Sequence, residues 1–240
     1  MKKTAVLYVF HVINDRVRHF VYSCTFDSPD VDFYIIANNP NMNFDLPSHI
    51  KTMIRPNIGY DFGGWSECLL KDNMYKNYDN FIFANSSIIG PFLTNGRWTD
   101  IYINGLKDNV KLFGSTINTI DNPLEQSHVQ SYIFSMDRET LEYLIACDIF
   151  SVTNYANKFI DAINNKEILM SRKIIENGWN IGSLMKYYEG VDFTFKTKLP
   201  GEYKNPFLND VMYVNYRGAI WKDEYELVFI KGNRINVTIT

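Results

Sequence analysis

Four short apolar runs alternate with amphipathic segments over the first part of the chain. The runs are rich in β-branched and aromatic residues and cover residues 5–12, 31–37, 50–54 and 80–84. Such runs are typical of strands that are buried on both faces of a parallel sheet. Between them, apolar residues recur at helical spacing over 14–26, with Asn14 as N-cap, and over 64–72. This alternation predicts an α/β fold with a Rossmann-like, mostly parallel sheet flanked by helices.

The second part of the chain is less regular. Its pattern predicts helices over residues 98–106, 138–147 and 164–177. It predicts strands over residues 110–115, 128–136 and 226–230. Asp137 stands as an N-cap, and Gly178 stands where the last helix ends. No repeat, low-complexity tract or linker interrupts the chain, so we expect a single domain over residues 1–240.

The composition narrows the class of protein. A net charge of −3 gives no basis for non-specific binding to nucleic acid or to a membrane surface. No apolar run has the length of a transmembrane helix or the form of a signal peptide. Cys24, Cys68 and Cys147 lie in apolar patterns without metal-ligand spacing, as reduced core thiols do. We therefore expect a soluble, cytoplasmic protein.

The segment 57–65 reads NIGYDFGGW and joins the third predicted strand to the following helix. Glycines at such a crossing let backbone N–H groups approach a ligand, and the start of a helix favours phosphate groups. The residues expected to face that ligand are Asn57, Gly59, Tyr60, Asp61, Gly63, Gly64 and Trp65. The alternative is a tight turn in which Asp61 is the N-cap of the helix.

Asn85, Ser86 and Ser87 follow the fourth predicted strand. In open parallel sheets the ligand lies beyond the carboxyl ends of the strands, so we expect these three residues beside the glycine-rich segment. Their amide and hydroxyl groups can form hydrogen bonds with a ribose or a sugar. They are weak ligands for a divalent cation, which prefers carboxylates.

Glu167 is the candidate general base. It stands near the start of the predicted helix 164–177, where a carboxylate can point into a cleft and accept a proton from a hydroxyl group. The alternative is structural, because Asn164 as N-cap and Glu167 at the third helical position approximate a capping box. The two roles do not exclude each other.

His128 and the basic residues near the end of the chain are further candidates. His128 begins a predicted strand, where it can hold a phosphate or a metal or orient a hydroxyl group, and Gln130 points to the same side. Lys231, Asn233 and Arg234 could neutralise a diphosphate without a metal. The alternatives are a structural histidine and solvated charges. The chain has no Ser/His/Asp order, Walker loop, zinc spacing or G-x-G-x-x-G fingerprint.

Several motifs stand in a fixed order along the chain. They are the segment 57–65, YDNFIFANSS at 78–87 with Gly90-Pro91-Phe92, KLFGS at 111–115, HVQS at 128–131, Glu167 with Ser171-Arg172, and GWNI at 178–181. As a set they resemble a glycosyltransferase-like family related to rhamnan synthesis protein F, which occurs in bacteria and in large DNA viruses. The resemblance covers most of the chain.

The resemblance implies a GT-A fold in one domain. Residues 1–95 would form a nucleotide-binding half and residues 96–240 an acceptor-binding half. It implies transfer of a sugar from a nucleotide-sugar donor to a glycan acceptor. Asp61 would contact the ribose or the base, and Glu167 would activate the acceptor hydroxyl group. The residues that would contact the diphosphate or the acceptor are His128, Gln130, Arg172, Lys231 and Arg234.

The resemblance leaves the metal open. Many GT-A enzymes carry an Asp-x-Asp metal motif where this chain has Asn85-Ser86-Ser87, so both carboxylates are missing here. Either transfer needs no metal, with His128, Lys231 or Arg234 balancing the diphosphate, or Mn²⁺ or Mg²⁺ is held by ligands that the pattern does not identify.

Two other classes of protein compete with a transferase. A non-catalytic module that binds a glycan or a nucleotide would keep the fold and lack the metal motif. This chain lacks that motif, because it has Asn85-Ser86-Ser87 in its place. A nucleotidyltransferase would need paired carboxylates for magnesium at the strand ends. A methyltransferase would need a glycine-rich turn after the first strand, where this chain has Val12-Ile13-Asn14-Asp15.

Overall fold

The first strand of the chain lies inside a seven-stranded sheet in the computed structural model, which describes residues 2–43, 45–119, 127–194 and 210–235. All seven residues of β1 (Thr4–Phe10) are buried. The strand pairs in parallel with β2 (Val31–Ala37) and with β4 (Asn80–Asn85), and β2 pairs in parallel with β3 (Ile50–Ile54). The four predicted parallel strands are therefore confirmed.

The other side of the sheet is mixed. Strand β9 (Ile133–Asp137) runs antiparallel to both β4 and β6 (Val110–Gly114), and β10 (Asn180–Ser183) runs parallel to β6. The strand order is β10-β6-β9-β4-β1-β2-β3, so β9 alone reverses direction within this sheet. The α/β fold with a mostly parallel sheet is confirmed, while the division into halves at residue 95 stays a prediction.

Several predicted helices begin at the expected caps. Helix α1 (Asp15–His19) follows Asn14, whose side-chain oxygen accepts a hydrogen bond from Val17 N at 3.1 Å, and it continues as a π-helix over Phe20–Cys24. Helix α3 covers Trp98–Asn104. Helix α4 (Arg138–Ala146) follows Asp137, whose carboxylate accepts from Thr140 N at 2.9 Å. Asn and Asp side chains satisfy backbone donors in the first turn, which is why they mark these starts.

Helix α2 (Tyr60–Leu70) begins four residues before the predicted start. The helix predicted over 164–177 also begins earlier, after Lys158: it comprises α5 (Phe159–Ala162), a π-helical stretch (Ile163–Ile168) and α6 (Leu169–Glu176). Glu167 therefore lies in the middle of this helix, and the predicted capping box with Asn164 is wrong.

One predicted strand is interrupted, and another is wrong. The run 128–136 is broken: β8 (His128–Val129) pairs with β7 (Ile117–Asn118), and the chain then turns before β9. Residues 226–230 begin in a helix, because the Asp223 carboxylate accepts a hydrogen bond from Glu226 N and caps α7 (Glu224–Leu227). Strand β11 (Ile230–Lys231) follows and pairs antiparallel with β5 (Ile88–Ile89).

The thiol state of the cysteines and the length of the helices agree with what the composition predicts. Cys24 and Cys68 are buried free thiols, and Cys147 is a partly buried one. Within the described ranges, no helix combines the length and the apolar character needed to cross a membrane.

Candidate functional site

The first turn of α2 meets the end of β4 at the carboxyl edge of the parallel strands. Asn85 Nδ2 donates a hydrogen bond to Asp61 Oδ2 at 2.9 Å. The structure thus brings together the glycine-rich segment and Asn85-Ser86-Ser87, as their places at strand ends predict.

Asp61 holds its proton more tightly than an ordinary aspartate. Burial raises its pKa to about 6, and the negative charge of Glu167 adds to this rise, while the hydrogen bond from Asn85 opposes it. Asp61 and Glu167 therefore belong to one electrostatic environment, although they are far apart in the sequence.

The glycines of the segment 57–65 are explained by backbone geometry and packing. Gly59, with φ of 75°, is the residue before α2, so Asp61 lies inside the first turn and is not the N-cap. A Cβ atom on Gly63 would collide with the carbonyl oxygen of Ile58. A Cβ atom on Gly64 would lie 2.8 Å from Val9 Cγ2. Gly59 and Gly63 let the chain turn tightly into α2, and Gly64 lets α2 pack closely on the sheet, which accounts for the three glycines without a ligand.

Trp65 is a core residue. Its side chain is fully buried, its ring packs against Phe83 and Phe134, and its Nε1 donates to the Leu7 carbonyl oxygen at 3.2 Å. The expectation that Trp65 contacts a nucleotide-sugar is corrected, because no surface of its ring is accessible.

Tyr60 and Asn57 remain at the surface of the segment. Tyr60 is 37% exposed and has a φ of 55°, a value that non-glycine residues rarely adopt. Asn38 Nδ2 holds it there by donating to the Tyr60 carbonyl oxygen at 3.1 Å, and Arg55 Nη1 donates to Asn38 Oδ1 at 2.7 Å. Strained backbone that is held by a buried network is often found at binding sites.

The turn at residues 130–132, between β8 and β9, connects the remaining candidates. Gln130 Nε2 donates to Asp210 Oδ1 at 2.8 Å. Ser131 donates to Glu167 Oε2 twice, from its backbone N at 2.7 Å and from its hydroxyl group. The Tyr132 carbonyl oxygen accepts a hydrogen bond from Asn85 N at 3.1 Å. Three successive residues thus link Asp210, Glu167 and the end of β4.

Glu167 directs its second carboxylate oxygen toward His128. Its Oε1 lies 3.6 Å from His128 Nε2, and the two side chains are 14% and 3% exposed. Gln130 is equally buried, and its Oε1 accepts from the Thr116 hydroxyl group at 2.8 Å. His128 and Gln130 therefore support the site from inside the protein.

The basic residues near the end of the chain have separate positions. Lys231 Nζ lies 3.2 Å from Asp210 Oδ2 and 5.4 Å from the centre of the Tyr132 ring. Arg234 is exposed, and its guanidinium group lies 5.1 Å from the centre of the Tyr213 ring. Burial raises the pKa of the Asp210 carboxyl, but the charge of Lys231 and several hydrogen bonds lower it further, so it stays below the ordinary value.

A family model described as rhamnan synthesis protein F matches residues 24–209. The chain belongs to the rhamnan synthesis protein F family. A search of curated proteins found no match. Membership gives this family member a role in polysaccharide synthesis, and the matched range includes Asp61, Asn85, His128 and Glu167.

In this member of the rhamnan synthesis protein F family, the residues at the end of β4 do not fit the metal site of GT-A enzymes. Asn85 Nδ2 donates to Asp61, and Asn85 Oδ1 accepts from the backbone N and the hydroxyl group of Ser87. Within the described part of the chain, no group of three or more His, Cys, Asp or Glu side chains could hold a metal ion. Asn85 Oδ1 and one hydrogen of Nδ2 are thus engaged in internal hydrogen bonds.

Two residues of this site were not predicted from the sequence. Asp210 carries no local motif, and Ser131 stood in the HVQS motif without an expected role; both join the site through contacts with distant residues. Arg172, which was expected to contact the diphosphate or the acceptor, is partly buried in α6, next to Ser171, whose hydroxyl group accepts from Val129 N at 3.0 Å.

Proposed function

We propose that this protein is a glycosyltransferase that acts in the cytoplasm, taking a sugar from a nucleotide-sugar and adding it to a glycan acceptor. Membership of a family that acts in polysaccharide synthesis supports this proposal. The observation that carries it is a set of hydrogen bonds at the carboxyl edge of a mostly parallel sheet, where open α/β folds bind their ligands. They join Asp61 to Asn85, and they join Asn85 and Glu167 to the neighbouring residues Tyr132 and Ser131.

In this proposal the surface of the segment 57–65 binds the nucleotide. Tyr60 offers an exposed ring for stacking, and Asp61 contacts the ribose or the base. Ser86 and Ser87 lie at the end of β4, where their hydroxyl groups can bind the sugar or the diphosphate. Gly59, Gly63 and Gly64 contribute indirectly, because Gly59 and Gly63 let the chain turn into α2 and Gly64 lets α2 pack against the sheet.

Glu167 is the proposed general base. Its Oε1 takes the proton from the acceptor hydroxyl group while the oxygen of this hydroxyl group attacks the anomeric carbon of the donor sugar. The bond from this carbon to the diphosphate breaks, and the nucleoside diphosphate leaves with the bonding electrons. Ser131 fixes the other carboxylate oxygen, and the buried His128 limits how Oε1 can turn.

One observation favours a second candidate, a non-catalytic module that binds a glycan or a nucleotide. Glu167 Oε2 accepts two hydrogen bonds from Ser131, which is also what a carboxylate that only fastens the turn at 130–132 would do. The two functions differ in turnover, so the test must measure binding and transfer separately.

The test is calorimetric titration with a panel of nucleoside diphosphates and nucleotide-sugars, followed by a transfer assay with the donor that binds. Glu167→Gln keeps an oxygen that can accept from Ser131 but removes the base. We expect this variant to bind the donor as wild type does and to lose turnover. Ser131→Ala is the matched control, because it keeps the carboxylate and removes one hydrogen bond. Donor binding without any transfer would establish the binding module instead.

A further inference from the structure

Of the three basic residues first considered for charge balance at the site, two lie beside carboxylates inside the protein and the third lies at the surface. Lys231 forms an ion pair with Asp210, Arg234 is exposed against the Tyr213 ring, and His128 is buried next to Glu167. A diphosphate at the end of β4 would need a cation whose charge is still available.

Arg16 has such a charge. It lies in α1, directly after β1, and its Nε donates to the Ser86 carbonyl oxygen at 3.0 Å. Its side chain also lies against the turn after β11, where a Cβ atom on Gly232 would be 3.0 Å from Arg16 Cδ. The guanidinium group is therefore held between two turns at the carboxyl edge of the sheet.

The two terminal nitrogens of Arg16 make no contact with a polar partner in the described part of the chain. Within residues 2–43, 45–119, 127–194 and 210–235, neither Nη1 nor Nη2 donates a hydrogen bond, and no carboxylate lies within ion-pair distance. The Ser86 hydroxyl group likewise makes no hydrogen bond within these ranges. Fixing Nε while leaving both terminal nitrogens available suits the binding of two oxygens of one anion.

A buried hydroxyl group lies in the same environment. Tyr8 OH, in β1, is buried and has no hydrogen-bond partner within the described ranges. Burial holds the pKa of Tyr8 well above its ordinary value; the positive charge of Arg16 opposes this rise and the negative charge of Asp61 adds to it. The charges of Arg16 and Asp61 thus both act on the Tyr8 hydroxyl group, and the hydrogen bond of Arg16 to Ser86 places its side chain next to Asn85 in the chain.

We propose that Arg16, with the Ser86 hydroxyl group, is the binding subsite for the diphosphate of the donor. This inference rests on the proposed function and deepens it. Arginine is charged at every physiological pH and pairs with two phosphate oxygens at once. Because Nε is already fixed to Ser86, little side-chain entropy is lost when the anion binds. Arg16 then supplies positive charge at the strand end that lacks an Asp-x-Asp motif.

The test is titration of the full chain with inorganic pyrophosphate and with nucleoside diphosphates, in EDTA, at low and at high salt. Arg16→Gln is expected to weaken binding of both anions by about tenfold or more, the loss typical of one charge-assisted contact. Arg18→Gln, which removes the same charge from an exposed position on the same helix, is the control and should change binding little. Arg16→Lys keeps the charge and should lose less than Arg16→Gln.

Three outcomes would overturn the subsite. They are equal losses in the Arg16→Gln and Arg18→Gln variants, pyrophosphate binding by wild type only after manganese is added, and no binding of either anion. Thermal unfolding and Arg16→Lys control for a folding defect.

The proposed function and the subsite can fail separately. Sugar transfer that is unaffected by Arg16→Gln would leave the transferase and remove the subsite. Arg16-dependent binding of pyrophosphate without any transfer would keep the subsite and remove the transferase.

Discussion

Asn85 donates a hydrogen bond from Nδ2 to Asp61 Oδ2 at 2.9 Å, and it accepts one at Oδ1 from Ser87 N at 3.0 Å. An amide side chain can do both at neutral pH, whereas an ionised carboxylate has no proton to donate. Asn85 therefore holds the first turn of α2 against the end of β4 and shapes the turn at Ser86 and Ser87.

Asn85→Asp should weaken this corner at neutral pH. The new carboxylate would lose the hydrogen bond and repel Asp61, so we expect the free energy of unfolding to fall by about 1–3 kcal/mol. Part of the loss should return near about pH 5, where Asp61 carries its proton and can donate. Manganese should stabilise the variant more than wild type, since paired carboxylates attract divalent cations. Chemical denaturation measures both effects, with Asn57→Asp at an exposed position as the control.

Asp61→Asn should change how stability depends on pH. The folded state raises the pKa of Asp61 to about 6, so ionisation of this group opposes folding as the pH rises through that region. The asparagine cannot ionise. We therefore expect the variant to gain stability relative to wild type between about pH 4 and about pH 7, by on the order of 2 kcal/mol.

The measurement for Asp61→Asn is a series of unfolding curves across that pH range. Asp27→Asn, which removes a carboxylate from an exposed position, is the matched control for the loss of one charge. A stability difference between Asp61→Asn and wild type that stays constant with pH would contradict the prediction.

Gly63→Ala should destabilise the protein although Gly63 lies inside a helix. Alanine favours helices over glycine by about 1 kcal/mol, but here its methyl group would collide with the Ile58 carbonyl oxygen. We expect a net loss of about 1–3 kcal/mol in the free energy of unfolding. Gly96→Ala, with no neighbouring atom within 4 Å of the new methyl group and a φ of 83°, measures left-handed backbone strain, which the helical Gly63 does not have. A Gly63→Ala variant as stable as wild type would refute the packing explanation.

Asp210→Asn should leave Lys231 partly buried without its anionic partner. We expect the free energy of unfolding to fall by about 1–3 kcal/mol near neutral pH. The pKa of Asp210 lies below its ordinary value, because the charge of Lys231 and hydrogen bonds outweigh the effect of burial. The stabilising contribution is therefore present above the unfolded pKa and is lost as the pH falls through the lower folded value.

Unfolding at neutral and at acidic pH checks this prediction, and the deficit of Asp210→Asn should shrink in acid. Glu176→Gln breaks the more exposed Lys173–Glu176 pair and should cost less than about 1 kcal/mol. The double variant Asp210→Asn/Lys231→Met should recover part of the loss, because it removes the unpaired charge. An equal loss from Asp210→Asn and Glu176→Gln would contradict a role for burial in this pair.

The sequence by itself determined the parallel strands β1 to β4 and the caps at Asn14 and Asp137. Strands that are buried on both faces need uninterrupted apolar runs, and caps need short polar side chains next to the residues they serve. Both are local requirements, so they can be predicted from neighbouring residues. The same reasoning placed Asp61 and Asn85 together, because parallel strands end at the same edge of a sheet.

Only the tertiary structure decided how the site is connected. The strand predicted over 128–136 breaks after Val129. Ser131 then contacts Glu167, 36 positions away, and Gln130 contacts Asp210, 80 positions away. The burial of Trp65 and the pairing of Lys231 were likewise decided by packing. No local pattern encodes such contacts, because the partner of a polar side chain depends on which surfaces the folded sheet and helices bring together.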